Sequence, residues 1–179
     1  MALAPSSNGT VALRDGRRVV IRAIRRDDVA RNAAFLERLS PPSKHFLFLG
    51  GISRLSDEAL LRLCDPDHSH DMAYIALAAD APTPGAERQV GVCRYAGADA
   101  DGAEISVAVA DDWQHQGLGQ ILLRRLIDYA RTHGIRRLYS MDAVNNERMR
   151  QLARHMGFGE HADPSDIHQV VYSLQLQRS

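Results

Sequence analysis

The chain has 179 residues, 45% of them apolar and 25% charged, and a formal net charge of zero. That length and mix suit one globular domain with a sizeable core. The zero balance, with only 6% aromatic residues, gives no electrostatic footprint for nucleic acid or an anionic membrane surface. No apolar run approaches the roughly 20 residues of a membrane span, and the N-terminus lacks the basic start and apolar core of a secretory signal. The two cysteines form no disulfide framework, so a cytoplasmic location is expected.

Taken in order, residues 1–15 read as a flexible tail and 16–179 as a single domain. Val19, Val20 and Ile21 mark a first strand over 18–24. Asp27 or Asp28 caps a helix with Val29, Ala33, Leu36 and Leu39 on one face, and Ser40-Pro41-Pro42-Ser43 stops it. The apolar connection 44–54 has no readable shape. Ser56 caps a second helix, with Asp57 and Glu58 in its first turn. Strands follow over 72–79, 89–96 and 104–110, separated by turn-rich segments, which predicts an antiparallel meander with the first strand. A helix over 118–133 ends at Gly134. The strand over 136–141 should then lie parallel to 104–110 through a crossover. Asn146 opens another helix that ends at Gly157, and strands over 158–160 and 167–176 close the chain.

Residues 104–119 organise the rest. Ile105, Val107 and Val109 alternate as a strand, Gln114, Gly117 and Gly119 lie in a short loop, and Leu118, Ile121, Leu122 and Leu126 begin an amphipathic helix. A helix start carries unpaired N–H groups and partial positive charge, and glycines let a ligand approach the backbone, so the unit suits a phosphate. It is not a P-loop, since Gln120 and Ile121 follow Gly119 where Lys and Ser/Thr are needed. Nor is it a dinucleotide fingerprint, because Leu122 stands where a third glycine or alanine would be.

The pattern Gln114-x-x-Gly117-x-Gly119, after a strand and opening a helix, resembles the acyl-CoA pyrophosphate loop of the GNAT family of N-acetyltransferases. A second family pattern is met by Asn146, Met149, Leu152, Gly157 and Phe158. Its sixth position, usually tyrosine, is Ala153. Three further stretches, 39–46, 103–104 and 149–153, are similar to the acetyltransferase domain of bacterial protein lysine acetyltransferases. The resemblance implies an α/β (α+β) fold, with a mixed, mostly antiparallel sheet of about seven strands flanked by four helices and a splay between two central parallel strands.

The resemblance also implies acetyl-CoA as co-substrate and an amine acceptor, a protein lysine or a small molecule. The backbone of Val107 and Val109 would pair with the pantetheine arm. The N–H groups of Gln114, His115, Gln116, Gly117, Leu118, Gly119 and Gln120 would hold the pyrophosphate. Asn146 would bond the pantetheine arm or order the cleft; a plain helix cap is the competing reading. A free lysine amine is less than about 0.1% neutral at pH 7, so attack on a thioester needs a general base. Glu104, opening the central strand where such enzymes place a glutamate, is the candidate, against the reading of an exposed strand-end carboxylate. With Ala153 in place of the tyrosine, Tyr139, a histidine or water must protonate the CoA thiolate, unless no acid is needed. That departure also motivates a rival function, a non-catalytic acyl-CoA-binding module. Cys64, His68, His70 and Asp71 are metal-ligand types, but their spacing matches no structural zinc site and no metal is expected. A homodimer through the terminal strands is a common outcome in the family.

Overall fold

A computed structural model describes residues 9–48 and 55–176 of the chain. Eight strands form one sheet: β1 (Gly9–Ala12), β2 (Arg18–Ala23), β3 (Met72–Ala78), β4 (Gln89–Ala96), β5 (Ala103–Val109), β6 (Arg137–Ala143), β7 (Gly159–Ala162) and β8 (Gln169–Gln175). Their spatial order is β1-β2-β3-β4-β5-β6-β8-β7. Every neighbouring pair is antiparallel except β5 and β6. This is the mixed sheet expected of a GNAT-like α/β fold, with the four-strand meander and the single parallel pair in their expected places.

Two expectations need correction. Part of the supposed tail, Gly9–Ala12, is the edge strand β1, so among the described residues the sheet has eight strands rather than seven. It is held because the turn after it closes tightly: Leu13 N–H donates to Arg17 O at 2.8 Å, and Gly16 takes φ +84°. Second, Pro41-Pro42 does not only end a helix but begins one. The described residues contain five α-helices rather than four: α1 (Val29–Arg38), α2 (Pro41–Phe48), α3 (Asp57–Cys64), α4 (Leu118–Thr132) and α5 (Glu147–His155). Proline is welcome in a first helical turn, where its missing N–H would have no partner anyway.

All seven residues of β3 are buried. Successive side chains of a strand point to opposite faces, so both faces of the sheet centre are covered. Helix α4 packs across β3, β4 and β5 and buries Leu118, Leu122, Leu123, Leu126 and Ile127. Helix α1 packs against β4 through a face rotated from the expected one: Asn32 and Phe35 are its buried residues. A polar pair sets that rotation, with Gln89 Nε2 donating to Asn32 Oδ1 at 2.9 Å, both residues being buried. At the start of α1, Asp28 is fully buried and takes charge-assisted hydrogen bonds from Arg22 (2.7 Å on each oxygen) and from Arg31. Burial opposes its charge, but these bonds and the Arg25 N–H outweigh that and hold its carboxyl below the usual range.

Candidate active site

The site begins where the sheet fails to close. Strand β5 pairs with β4 along its length, from Gly91↔Val109 to Ala96↔Glu104. With β6 it makes only two pairs, Ala103↔Leu138 and Glu104↔Tyr139. Beyond Glu104, β6 stays paired with β8 as far as Ala143↔Gln169, so a wedge opens between β5 and β6. Helices α4 and α5 fill the back of that wedge. An atom added at Gly119 would lie 3.7 Å from Leu152 and 3.9 Å from Val107 and Val109. The β6-facing edge of residues 105–109 is therefore a strand edge without a strand partner, able to receive an extended amide-bearing chain.

After β5 the backbone makes a 3-10 turn, Asp111–Trp113. Gln114 plays a different part from the one expected. Its N–H closes that turn on Asp111 O at 3.5 Å, and its Nε2 donates to Val109 O at 3.0 Å, tying the loop back to the strand. His115 then takes φ +62° and Gly117 φ +86°, the latter as N-cap of α4. The first helical bond is Ile121 N–H to Gly117 O at 3.1 Å. Among the described residues, the N–H groups of His115, Gln116, Gly117, Leu118, Gly119 and Gln120 have no protein acceptor. Unpaired donors at a helix start, with the helix dipole behind them, make this loop a cradle suited to an anion. The Leu118 side chain is buried, and Gln116, a predicted site residue, is not on the cavity wall.

One cavity of about 480 Å³ joins the wedge to this loop. Glu104, Val107, Val109, Gln114, His115, Gly117, Leu118, Gly119, Gln120 and Asn146 all line it. Glu104 is exposed, stands at the last β5–β6 pair and so marks the apex of the wedge. Asn146 does act as the cap of α5, accepting from Met149 N–H at 3.2 Å. It also donates from Nδ2 to Asp142 Oδ1 at 2.9 Å, so it orders the cleft wall as well.

Several cavity residues were not singled out in the sequence. Asp142, 6% exposed, is one. Burial pushes its carboxyl above the usual range, against the hydrogen bonds from Asn146 and Ala143 N–H. Ser43 is another: with Ser40 it donates to Asp111 Oδ1, at 2.9 and 2.7 Å, linking the start of α2 to the loop. A third, Arg14, reaches in from the β1–β2 turn. Of the groups weighed for protonating a thiolate, Tyr139 is off the cavity wall and faces Arg137 (5.1 Å), whereas His155 is on it. Ala153, at the tyrosine position, is buried.

The residues weighed for a metal do not assemble. Among the described residues no three His, Cys, Asp or Glu side chains come together as a metal site. Cys64 is buried, His68 Nδ1 faces Met72 Sδ at 3.1 Å, and His70 pairs with Asp67 at 2.9 Å.

The Acetyltransferase (GNAT) family profile matches residues 44–158. The chain belongs to the GNAT acetyltransferase family. An acetyltransferase of Pseudomonas aeruginosa is 43% identical over 166 residues, 92% of this chain and 88% of that protein. Among solved structures, the GNAT domain of S. lividans PAT superposes with a TM-score of 0.81 at 26% identity, covering 94% of this chain and 96% of that one. A spermidine N-acetyltransferase from Vibrio cholerae, in complex with CoA and spermine, has a TM-score of 0.67 at 17% identity and covers 89% of this chain and 96% of that one, which speaks to the fold. As a GNAT enzyme the protein is an acetyl-CoA-dependent N-acetyltransferase, with acetyl-CoA as co-substrate. The open strand edge and the cradle of free N–H groups suit a pantetheine arm and a diphosphate. No helix among the described residues is long and apolar enough to cross a membrane.

Proposed function

We propose that the protein transfers acetyl from acetyl-CoA to a primary amine, a protein lysine or a small-molecule amine, by direct attack of the neutral amine on the thioester. Glu104 is the general base, taking the proton from the acceptor ammonium directly or through one water. The pantetheine arm lies along the free edge of Val107 and Val109, and the N–H groups of residues 115–120 hold the diphosphate. Asn146 and Asp142 shape the wall facing the arm.

The observation that carries this reading is the position of Glu104. Its exposed carboxylate stands where β5–β6 pairing ends, inside the same cavity as the anion cradle. A thioester threaded from the cradle along β5 therefore meets Glu104 at the apex. Among the described residues the Glu104 carboxylate has no ion pair or side-chain hydrogen bond, so it is available to an incoming ammonium. His155, which lines the cavity from α5 as Tyr139 does not, is the candidate to return a proton to the CoA thiolate. The V. cholerae spermidine N-acetyltransferase supports a polyamine as one acceptor type to try first, beside the protein lysine that the sequence resemblance implies. The cytoplasm, where acetyl-CoA is made and thiols stay reduced, is the location this chemistry calls for.

The test is release of CoA thiol from acetyl-CoA with a panel of lysine peptides, free N-terminal peptides and polyamines, with the acetylated product identified by mass. Amine-dependent release supports the reading. Tight CoA binding with no release across the panel would favour the non-catalytic module that Ala153 first suggested.

A further inference from the structure

The phosphate cradle lacks a cation of its own. Residues 111–120 contain no Lys or Arg, and they open with two carboxylates. Asp111 is engaged by Ser40 and Ser43, and Asp112 by Arg88 at 3.0 Å. Backbone N–H groups and a helix dipole supply only partial charge, worth about half a unit at the helix start. A diphosphate brings two full negative charges.

Two arginines line the cavity, Arg148 from α5 and Arg14, which reaches the loop from the other edge of the sheet. The β1–β2 turn, residues 13–17, is locked in two ways. Inside the turn, the Asp15 carboxylate accepts from Arg17 N–H at 3.0 Å and from Arg17 Nε at 2.6 Å. Outward, Arg17 stacks over buried Trp113 at 4.0 Å and donates to Asp112 O at 2.9 Å. Arg17 thus pins the turn onto the leading edge of the phosphate loop. The pinned turn carries Arg14 over the cradle: an atom added at Gly117 would lie 3.6 Å from Arg14 Nε and 4.0 Å from its Cζ. Arg14 lines the cavity and is exposed, and among the described residues its guanidinium has no carboxylate or carbonyl partner. Asp15, the nearest carboxylate in sequence, is already taken by Arg17.

We propose that Arg14 is a phosphate-binding residue of the acetyl-CoA site, its guanidinium closing over the diphosphate held by the N–H groups of residues 115–120. A guanidinium presents a planar fork of donors to phosphate oxygens and stays charged at any working pH. The contact makes the β1–β2 turn part of the co-substrate site. It rests on acetyl-CoA as co-substrate and is independent of Glu104 and of the acceptor, so it is read by binding rather than turnover.

Titration calorimetry with CoA and with 3′-dephospho-CoA tests it on the parent, Arg14→Ala, Arg14→Lys and Arg14→Met. Arg14→Ala should weaken CoA about tenfold, the low end for one charge-assisted hydrogen bond. The same loss should appear with 3′-dephospho-CoA, because the diphosphate is still present. Lys should recover part of the affinity and Met none, and the parent's Kd should rise more steeply with salt than the Ala variant's. Three results would overturn the proposal. Unchanged affinity in Arg14→Ala would make Arg14 a solvated charge. Recovery by Met but not Lys would make it a packing residue. Loss of the penalty with 3′-dephospho-CoA would assign it to the 3′-phosphate instead of the diphosphate.

Discussion

Gly119→Asp separates co-substrate binding from folding, because the structure sends the two effects in opposite directions. Gly119 is the second residue of α4, and an atom added to it meets Leu152, Val107 and Val109 at 3.7 to 3.9 Å, ordinary contact distances. Gly119→Ala should therefore fit, with CoA affinity within about threefold of the parent, since no contact is tight enough to displace a neighbour. The aspartate adds a carboxylate in the first turn of the helix, which favours the fold by about 0.3–1 kcal/mol. The same carboxylate faces the cavity at the cradle. Two unit charges about 5 Å apart repel by about 3 kcal/mol at an effective dielectric near 20, and a diphosphate carries two. After solvent and salt screening the expected loss is at least about 100-fold in CoA affinity, or ~2.7 kcal/mol. Calorimetry gives the affinity and thermal unfolding checks the fold. A folded Gly119→Asp variant that binds CoA as the parent does would refute the placement of the diphosphate.

Three further predictions concern buried titratable groups. Asp28→Asn should cost about 3 kcal/mol, the low end for breaking a buried pair, because the Arg22 and Arg31 side chains keep 12% and 20% of their surface. The Asp28 carboxyl is held below its ordinary value, so its stabilisation is present above the unfolded pKa and fades as pH falls through the folded one. The stability gap between parent and variant, read from urea melts, should shrink below about pH 4. Asp142 behaves oppositely: burial raises its carboxyl, so its contribution is intact below the unfolded pKa and is lost as pH rises through the folded one. Asp142→Asn should melt higher than the parent at neutral pH, with the gap closing below about pH 4; a pH-independent gap would count against a buried carboxylate. Burial pushes the Cys64 thiol up to about 11 and Cys93 further still, so neither should react with a thiol reagent on the timescale on which the unfolded chain reacts completely.

The elements most legible in the sequence were those where local pattern and tertiary context agree. Strand β4 falls on its expected bounds, and β5, the loop and α4 follow from the alternation of Ile105, Val107 and Val109, then the glycines, then the apolar stripe. The Ser56 and Asn146 caps were readable because a helix start needs such an acceptor whatever surrounds it. What was misread had a signal that was weighed differently. Asp15-Gly16 between Val11 and Val19 is a hairpin signal, yet the polar N-terminus made it look like a tail. Pro41-Pro42 was read as a stop, although proline also starts helices. The connection at 44–54 lies partly outside the described residues, beyond Phe48. Other features carried no readable pattern. Arg14 over Gly117 depends on how segments far apart in sequence meet, while Asp142 beside Asn146 and the Gln114 bond to Val109 are local contacts, four and five residues apart, set by the side-chain geometry of their turns. The rotation of α1 likewise follows from Gln89, 57 residues away from Asn32.

The most direct measurement of the central claim is the pH dependence of turnover in Glu104→Gln at saturating acetyl-CoA, with an amine acceptor found in the panel. The variant keeps the shape of the side chain and removes its basicity. Co-substrate affinity should hold, because Glu104 stands at the apex of the wedge and the cradle lies at its far end. Turnover at neutral pH should fall about 10²–10⁴-fold, the span for losing a general base. It should recover in part at high pH, where the amine loses its proton in solution. Near-parental turnover at neutral pH in a folded Glu104→Gln variant would contradict the account and leave Glu104 an exposed carboxylate at the end of a strand.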